Sequence, residues 1–382
     1  MNSKTGKVMV IGGGIAGLTA AWELSRQNIN VELVEKSCFL GGHSIGFTCK
    51  ATDTCKQCGA CSVEEMLANV VNEPLINVHL RTEVCGLEKK DGFSVSLAKS
   101  AVEEVAPQGV LKGFSHHNSP LYVVADGAAD APEGAVSIDT LGSEGAVDVD
   151  AVVVATGYTP FDPNLKGTYG YDKWDNVITG LDLENIIREN GSLVRPSDGE
   201  KPKRIAFIQC VGSRDERLGN LWCSEVCCPY AMRMAGVAKN ADPEAEISMF
   251  YIDIQNSGKE FPVFYEKIKE EIRFVRTIPV DIYPLEGDSL ELRHMAEDEG
   301  APSSEQFDLV VLSVGIMPGM DTAKISEILN IPVNQDGFLD AVPGDSGVFV
   351  AGTAGGPGSI AATIAGAGNV ALATMNYLGG SK

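Results

Sequence analysis

Positive charge is scarce in this 382-residue chain. Thirty Lys and Arg stand against 52 Asp and Glu, a net charge of −22, which excludes a surface built to neutralise nucleic-acid phosphates and disfavours direct docking on anionic lipid. Aromatics are few as well, at 7%. With 42 glycines and a hydrophobic fraction of 44%, the composition points away from helical bundles and all-β sandwiches, towards an α/β design with tight turns and close helix–strand contacts. No signal sequence precedes the first apolar strand, so the ten cysteines are expected to be ligands and not a disulfide framework. A membrane-spanning run is missing too. Residues 346–381 carry no charge, but the interior Ala-Gly-Thr-Ala-Gly-Gly-Pro-Gly-Ser is too rich in turn formers to cross lipid as a regular helix. Strand, turn and buried helix are expected there.

The chain contains one complete strand, glycine turn, helix, strand, acid sequence. An apolar strand at 8–11 runs into Gly12-Gly13-Gly14-Ile15-Ala16-Gly17 and a helix at 18–27, and a second strand at 31–34 ends in Glu35. That order is what a dinucleotide fingerprint requires. Gly12 permits the turn, Gly14 lets the backbone approach a pyrophosphate, Gly17 allows close helix–strand packing, and Glu35 can accept hydrogen bonds from a ribose. FAD and NAD share this fingerprint. Two later strand-and-turn segments bear on the choice: 150–157, ending Ala155-Thr156-Gly157, and 347–353, ending Gly352-Thr353.

A second glycine loop is absent where the middle of the chain needs one. Strands are expected at 203–209, 246–253, 272–275 and 307–314, but the first runs into Cys210-Val-Gly-Ser-Arg. Without its glycines this segment loses the main anion site of a nicotinamide domain. In their place stands Cys210-x12-Cys223-x3-Cys227-Cys228. Closely spaced thiolates bind soft metal or iron–sulfur centres. Pro229 at a helix N1 position would put Cys227 and Cys228 in the turn before a helix at 230–240, where adjacent side chains can converge. The absence of paired Cys-x2-Cys knuckles favours a [4Fe–4S] cluster over zinc.

A second group is Cys49-x5-Cys55-x2-Cys58-x2-Cys61. Its last three members have the opening spacing of a bacterial ferredoxin run without the closing Cys-Pro. Cys49 is the expected fourth ligand, with Cys38 and Cys85 as substitutes, and either a second [4Fe–4S] cluster or zinc fits the pattern. Otherwise Cys38 and Cys85 read as small buried hydrophobes. His43 follows Gly41-Gly42 and could touch a cofactor or make a structural polar contact. His79, His116, His117 and His294 have no partners at ligand spacing. The stretch 101–147, rich in Gly, Ala, Asp and Glu, reads as a hairpin region with an acidic excursion and no chemistry.

The glycine fingerprint with its two returning strands resembles the thioredoxin-reductase-like flavoproteins. That resemblance implies two dinucleotide-binding-like (Rossmann) domains, the first split in sequence: FAD domain 1–200, an inserted second domain 201–315, and the FAD domain's C-terminal part 316–382. It implies FAD contacts at Gly12, Gly14, Ile15, Ala16, Gly17, Glu35, Lys36, Gly41, Gly42, His43, Ala155, Thr156, Gly157, Gly352 and Thr353. In that family the last segment usually reads Gly-Asp, so Gly352-Thr353 is a departure. The runs Phe-Ile-Gln-Cys-Val-Gly-Ser-Arg-Asp-Glu (207–216) and Trp-Cys-Ser-Glu-Val-Cys-Cys-Pro-Tyr-Ala-Met (222–232) closely resemble the A subunits of heterodisulfide reductases, where the four-cysteine signature holds a [4Fe–4S] cluster near FAD. So do Ala-Thr-Gly-Tyr-Thr-Pro-Phe-Asp-Pro (155–163) and Val-Leu-Ser-Val-Gly-Ile-Met-Pro (311–318).

The chain lacks the extra full ferredoxin runs of the methanogen form, and in this it is more similar to the A subunits of the quinone-interacting membrane-bound oxidoreductase (Qmo) complexes of sulfate reducers. The resemblance implies an FAD and iron–sulfur electron-transfer subunit passing electrons between the quinone pool, through a membrane partner, and adenylylsulfate reductase. It implies a cytoplasmic location, peripheral to the inner face of the membrane. Alternatives are a soluble electron-bifurcating or sulfur-oxidising heterodisulfide reductase, an NAD(P)H-dependent flavin reductase, and a noncatalytic assembly subunit.

Overall fold

The computed structural model describes residues 6–52, 54–100, 123–125, 136–138, 143–255, 261–296 and 300–380. The chain divides into two compact units. The first comprises Met1–Thr48, Gly59–Thr159 and Pro318–Lys382; the second comprises Cys49–Cys58 and Pro160–Met317.

The first unit is built on a five-stranded sheet in the order Val348–Val350, Ala151–Val154, Lys7–Ile11, Asn30–Val34, Ile76–His79. Every neighbouring pair is parallel. Buried on both faces, Lys7–Ile11, Ala151–Val154 and Val348–Val350 read as near-continuous apolar runs, as strands of parallel sheets do. Val8 and Val10 pack with the helices Ile15–Ser25, Ser62–Val71 and Ile360–Gly380, whose Leu18, Leu24, Leu67 and Ala367 are buried in the same cluster. Met9 and Ile11 face the other way, onto Val84, Phe93, Val95 and Val149. Those residues come from the antiparallel strands Thr82–Lys90, Gly92–Lys99 and Gly145–Val149. The charge-free stretch forms the expected strand Val348–Val350, a turn at Gly352–Ala354 and the helix Ile360–Gly380, but the helix buries only one stripe, Thr363, Ala367, Ala371 and Thr374, and exposes Leu372. Among the described residues no helix is long and apolar enough to cross a membrane.

The second unit repeats the plan. Its parallel sheet runs Val177–Thr179, Leu309–Val314, Arg204–Val211, Glu246–Phe250, Arg273–Val275. Ile205 and Phe207 pack with residues of the helices Gly180–Asn190, Cys227–Ala241 and Phe261–Glu271, whereas Ala206 and Ile208 meet Ile282, Leu292 and Phe307 of a three-stranded antiparallel sheet. Residues 160–200, placed with the FAD domain from sequence, are grouped with this second unit because Val177–Thr179 is a strand of its sheet, hydrogen-bonded to Leu309–Val314. Most of the 101–147 excursion, with His116 and His117, lies outside the described residues.

Candidate functional site

In the first unit the glycine turn leaves the carboxyl end of the central strand, where open α/β sheets bind their ligands. Gly12 has φ +109°, and a Cβ there would lie 2.3 Å from the Ala155 carbonyl oxygen; one on Gly17 would lie 1.8 Å from the Gly12 oxygen. Both positions therefore accept only glycine. Gly14 is different. A Cβ on it would approach no protein atom nearer than the Gly42 Cα, at 3.9 Å, so the space beside it is open. Gly14 is also the N-cap of the Ile15–Ser25 helix and makes no side-chain cap bond. The first N–H groups of that helix thus need an acceptor from outside it, and a pyrophosphate is the acceptor such a terminus suits.

The other expected flavin residues gather round this turn. Gly41 N–H donates to the Gly13 carbonyl oxygen at 2.8 Å, and Gly41 forms an isolated bridge with Gly14. A Cβ on Gly352 would lie 2.5 Å from the Ala16 Cβ, which places the Gly352-Thr353 turn against the start of the helix. Glu35 accepts from Gly13 N–H at 2.7 Å and Ser37 N–H at 2.8 Å, so each carboxylate oxygen keeps a lone pair for a ribose hydroxyl. Lys36 is ion-paired with Asp321. His43 makes a structural contact: its Nε2 lies 3.0 Å from the Tyr158 carbonyl oxygen, and its ring stands 4.6 Å from that of Tyr158. The Thr156 hydroxyl is buried with no hydrogen-bond partner, beside Gly157, where φ is +75°. An orphaned buried hydroxyl and an unfilled glycine cradle fit a bound dinucleotide.

The second unit's central strand ends differently. Its pairing with Leu309–Val314 shifts register between Ile208 and Val211, and Cys210 within the bulge has φ +59°. Arg214 and Glu225 also have positive φ, at 55° and 62°. Each such residue costs about 1–2 kcal/mol, so backbone strain is concentrated around the cysteines, as at functional sites generally. The loop is held by its neighbours: Ile316 N–H donates to Ser224 Oγ at 2.8 Å, Trp222 Nε1 to the Ile316 oxygen at 2.9 Å, and Asn220 Nδ2 to the Gly212 oxygen at 2.8 Å. Gly212, φ +83°, has Phe161 so close that a Cβ would fall 2.0 Å from its ring.

One expectation needs correcting. The helix begins at Cys227, with Val226 as N-cap, so Pro229 is its third residue and not its first. Proline is accepted there because the first-turn N–H groups have no intrahelical acceptor. The Cys227 thiol faces the Val314 oxygen at 3.6 Å and the Cys228 thiol the Asp253 oxygen at 3.9 Å.

Electrostatically the four sulfurs form one group. Burial, then the neighbouring Cys228, Cys210 and Cys223, push the Cys227 thiol far up, and burial with Cys228 and Cys223 pushes Cys210 up to about 12 despite Arg214. Burial raises Cys228 as well. Burial and mutual repulsion thus disfavour their thiolate forms, and a metal centre bound there would displace their protons. They are not yet a closed cage: among the described residues no three His, Cys, Asp or Glu side chains are disposed to hold a metal ion. The donor set still fits a cluster. Glu225 N–H donates to Cys223 Sγ at 3.3 Å, the kind of bond that tunes cluster thiolates.

Sequence reading missed Gln209. It precedes Cys210 on the strand, is 1% exposed, and neither of its amide atoms has a partner. A glutamine ending an otherwise apolar strand was the available signal.

Of the second cysteine group, Cys49, Cys55 and Cys58 are counted with the second unit and Cys61 with the first. Cys49, Cys55 and Cys61 are exposed and Cys58 half-buried. Within the second unit, Lys50 is buried against Glu184, Arg233 Nε donates to the Lys56 oxygen at 2.9 Å, and Gln57 N–H donates to Cys55 Sγ at 3.4 Å. Cys38 is buried, as expected for a small hydrophobe, but Cys85 is exposed. It is the extra residue of a bulge between Val84 and Gly86, which takes it out of the packed alternation. His79 and His294 are partnered by Glu32 and Glu305.

A two-unit fold with a dinucleotide cradle defines an oxidoreductase class, and residues 6–208 match the model of the pyridine nucleotide-disulphide oxidoreductases, ending just before Cys210. Thioredoxin reductases of T. acidophilum (TM-score 0.57, 12% identity, 98% of this chain and 99% of that one) and Lactococcus lactis (0.58, 13%, 98% and 100%) share the fold. Closer in sequence are two methanogen proteins. One is the second iron–sulfur A subunit of the CoB–CoM heterodisulfide reductase of Methanopyrus kandleri, 34% identical over 94% of this chain. The other is the A subunit of the H(2):CoB-CoM heterodisulfide,ferredoxin reductase of Methanothermobacter thermautotrophicus, 33% identical over 96%. The chain belongs to the family of heterodisulfide reductase A subunits and is part of an oxidoreductase. It spans 62% and 63% of those two relatives' lengths.

Proposed function

We propose that the chain is the flavin and iron–sulfur electron-transfer subunit of a heterodisulfide-reductase-like complex. The first unit binds FAD through Gly12, Gly14, Ile15, Ala16, Gly17, Glu35, Lys36, Gly41, Gly42, His43, Ala155, Thr156, Gly157, Gly352 and Thr353. The second holds a [4Fe–4S] cluster on Cys210, Cys223, Cys227 and Cys228. The sequence spacing of Cys49, Cys55, Cys58 and Cys61 suits a second centre, either a [4Fe–4S] cluster or zinc. The observation that carries this reading is the replacement, at the end of the second unit's central strand, of a phosphate loop by four mutually interacting cysteines, while the first unit keeps its glycine cradle. FAD exchanges one or two electrons and a cluster one at a time, so together they turn pair chemistry into single-electron flow. The residues' tasks are holding the centres, excluding water from Cys227 and Cys228, and donating hydrogen bonds to sulfur.

The donor and acceptor reach the chain through partner subunits. A heterodisulfide-reductase-type complex is the leading form, because the relatives that match carry that name. Exchange with the quinone pool through a membrane subunit, with adenylylsulfate reductase as partner and peripheral attachment to the membrane, is the narrower form and rests on motif resemblance. Anaerobic analysis should find about one FAD per chain and roughly four or eight each of iron and sulfide; stoichiometric zinc without sulfide would refute the redox reading. NADH and NADPH should leave the flavin oxidised, since the second unit lacks a phosphate loop; rapid bleaching would favour a nicotinamide-dependent reductase. Quinol-loaded liposomes with copurifying partners test the narrower form, which requires flavin reduction in the assembled complex and none by this chain alone.

A further inference from the structure

A cation is built in at the carboxyl ends of the second unit's central strands, beside Cys210, Cys223 and Cys228. The Arg214 guanidinium forms a forked pair with Asp253, Nη1 to Oδ1 at 2.5 Å and Nη2 to Oδ2 at 2.9 Å, and its charge acts on Cys210, Cys223 and Cys228. Asp253 is held in turn. Gln255 Nε2 donates to its Oδ1 at 2.9 Å, and the Cys228 thiol faces its backbone oxygen. The Arg214 N–H donates to the Trp222 oxygen at 3.1 Å, across the loop that carries Cys223. Arg214 keeps this place in a left-handed conformation, φ +55°, which a non-glycine residue adopts at a cost of about 1–2 kcal/mol. A planar fork fixed by a carboxylate aims its remaining N–H groups, as a flexible lysine would not.

We propose that Arg214, oriented by Asp253, is a positioning residue that sets the redox potential of the centre on Cys210, Cys223, Cys227 and Cys228. The inference rests on the cluster assigned to those cysteines above. Four thiolates give the cluster a net negative charge, and reduction adds one more. A nearby guanidinium stabilises the reduced form. Removing Arg214 therefore lowers the midpoint potential.

The test uses the full chain, isolated anaerobically with its iron and sulfide. Wild type, R214Q and R214K are titrated with dithionite and mediators while the EPR signal of the reduced cluster is followed. R214Q should keep wild-type iron, sulfide and FAD and shift the midpoint to lower potential; R214K, which keeps the charge without the fork, should shift it the same way by less. An unchanged midpoint in R214Q at full iron content overturns the proposal. If R214Q fails to hold the cluster, a wild-type midpoint in R214K overturns it equally. Absence of iron and sulfide from the wild-type chain would overturn the cluster assignment itself, a failure seen before any substitution is made.

Discussion

In the first unit the central strand Lys7–Ile11 gives way to three glycines, and the helix starts at Ile15; in the second, the central strand Arg204–Val211 is followed by residues 212–226 before the helix starts at Cys227. Sheet, helices on one face and antiparallel sheet on the other are otherwise shared. The short turn brings backbone N–H groups to a ligand and leaves no side chain in the way. The long one brings sulfur. A change confined to one loop therefore replaces anion chemistry with thiolate chemistry while the sheet that positions it is retained.

The sharpest way to break this comparison is Cys223→Ser. It should remove one whole cluster, roughly four iron and four sulfide, and leave FAD content unchanged, as metal and flavin analysis of the same sample would show; joint loss of both would mean that the units do not work separately. Next comes Gly14→Leu. Because a Cβ there meets no protein atom closer than 3.9 Å, the chain should fold normally yet be purified without flavin. Full flavin occupancy would count against the cradle. Gln209→Leu addresses the opposite side. In the metal-free chain it removes two buried, unpartnered polar atoms, so thermal stability should rise by about 1 kcal/mol, whereas cluster content should fall if the amide serves the centre.

Glu32, on the strand Asn30–Val34, lies outside both loops. Burial opposes its ionisation, but hydrogen bonds from His79, Lys7 and Asn77 outweigh this and hold its carboxyl at about 2, from 4.5. A depressed carboxylate stabilises the fold above its unfolded value and ceases to do so as pH falls through the folded one. Between pH 4.5 and 2, Glu32→Gln should therefore flatten the acid loss of stability measured by chemical denaturation.

The legible parts of the molecule were those written in local pattern. Glycine spacing after an apolar strand announced the first unit's cradle, and clustered cysteines announced the second site, because both chemistries need particular residue types close together in the chain. What stayed hidden depends on distant contacts. Arg214 and Asp253 are 39 positions apart and look like any surface pair until the strand ends bring them together. The helix start at Cys227 was misplaced within the first turn, since proline is tolerated throughout it. Val177–Thr179 is too short to declare which sheet it joins, so residues 160–200 could not be assigned from pattern alone. Cys85 was misjudged because a bulge cannot be read from strand alternation.

The route of the chain also dictates a timetable. Residues 49–58 leave the first unit early, yet Lys50 finds its buried partner only when Glu184 exists, and the first sheet gains its edge only when Val348–Val350 emerges. On the ribosome, neither unit can close until most of the polypeptide has been made, and contacts of such long range form slowly. Under the proposed function, iron and sulfide delivery must then follow synthesis. Until it does, Cys227 and Cys228, buried in the finished fold, stand open to oxygen.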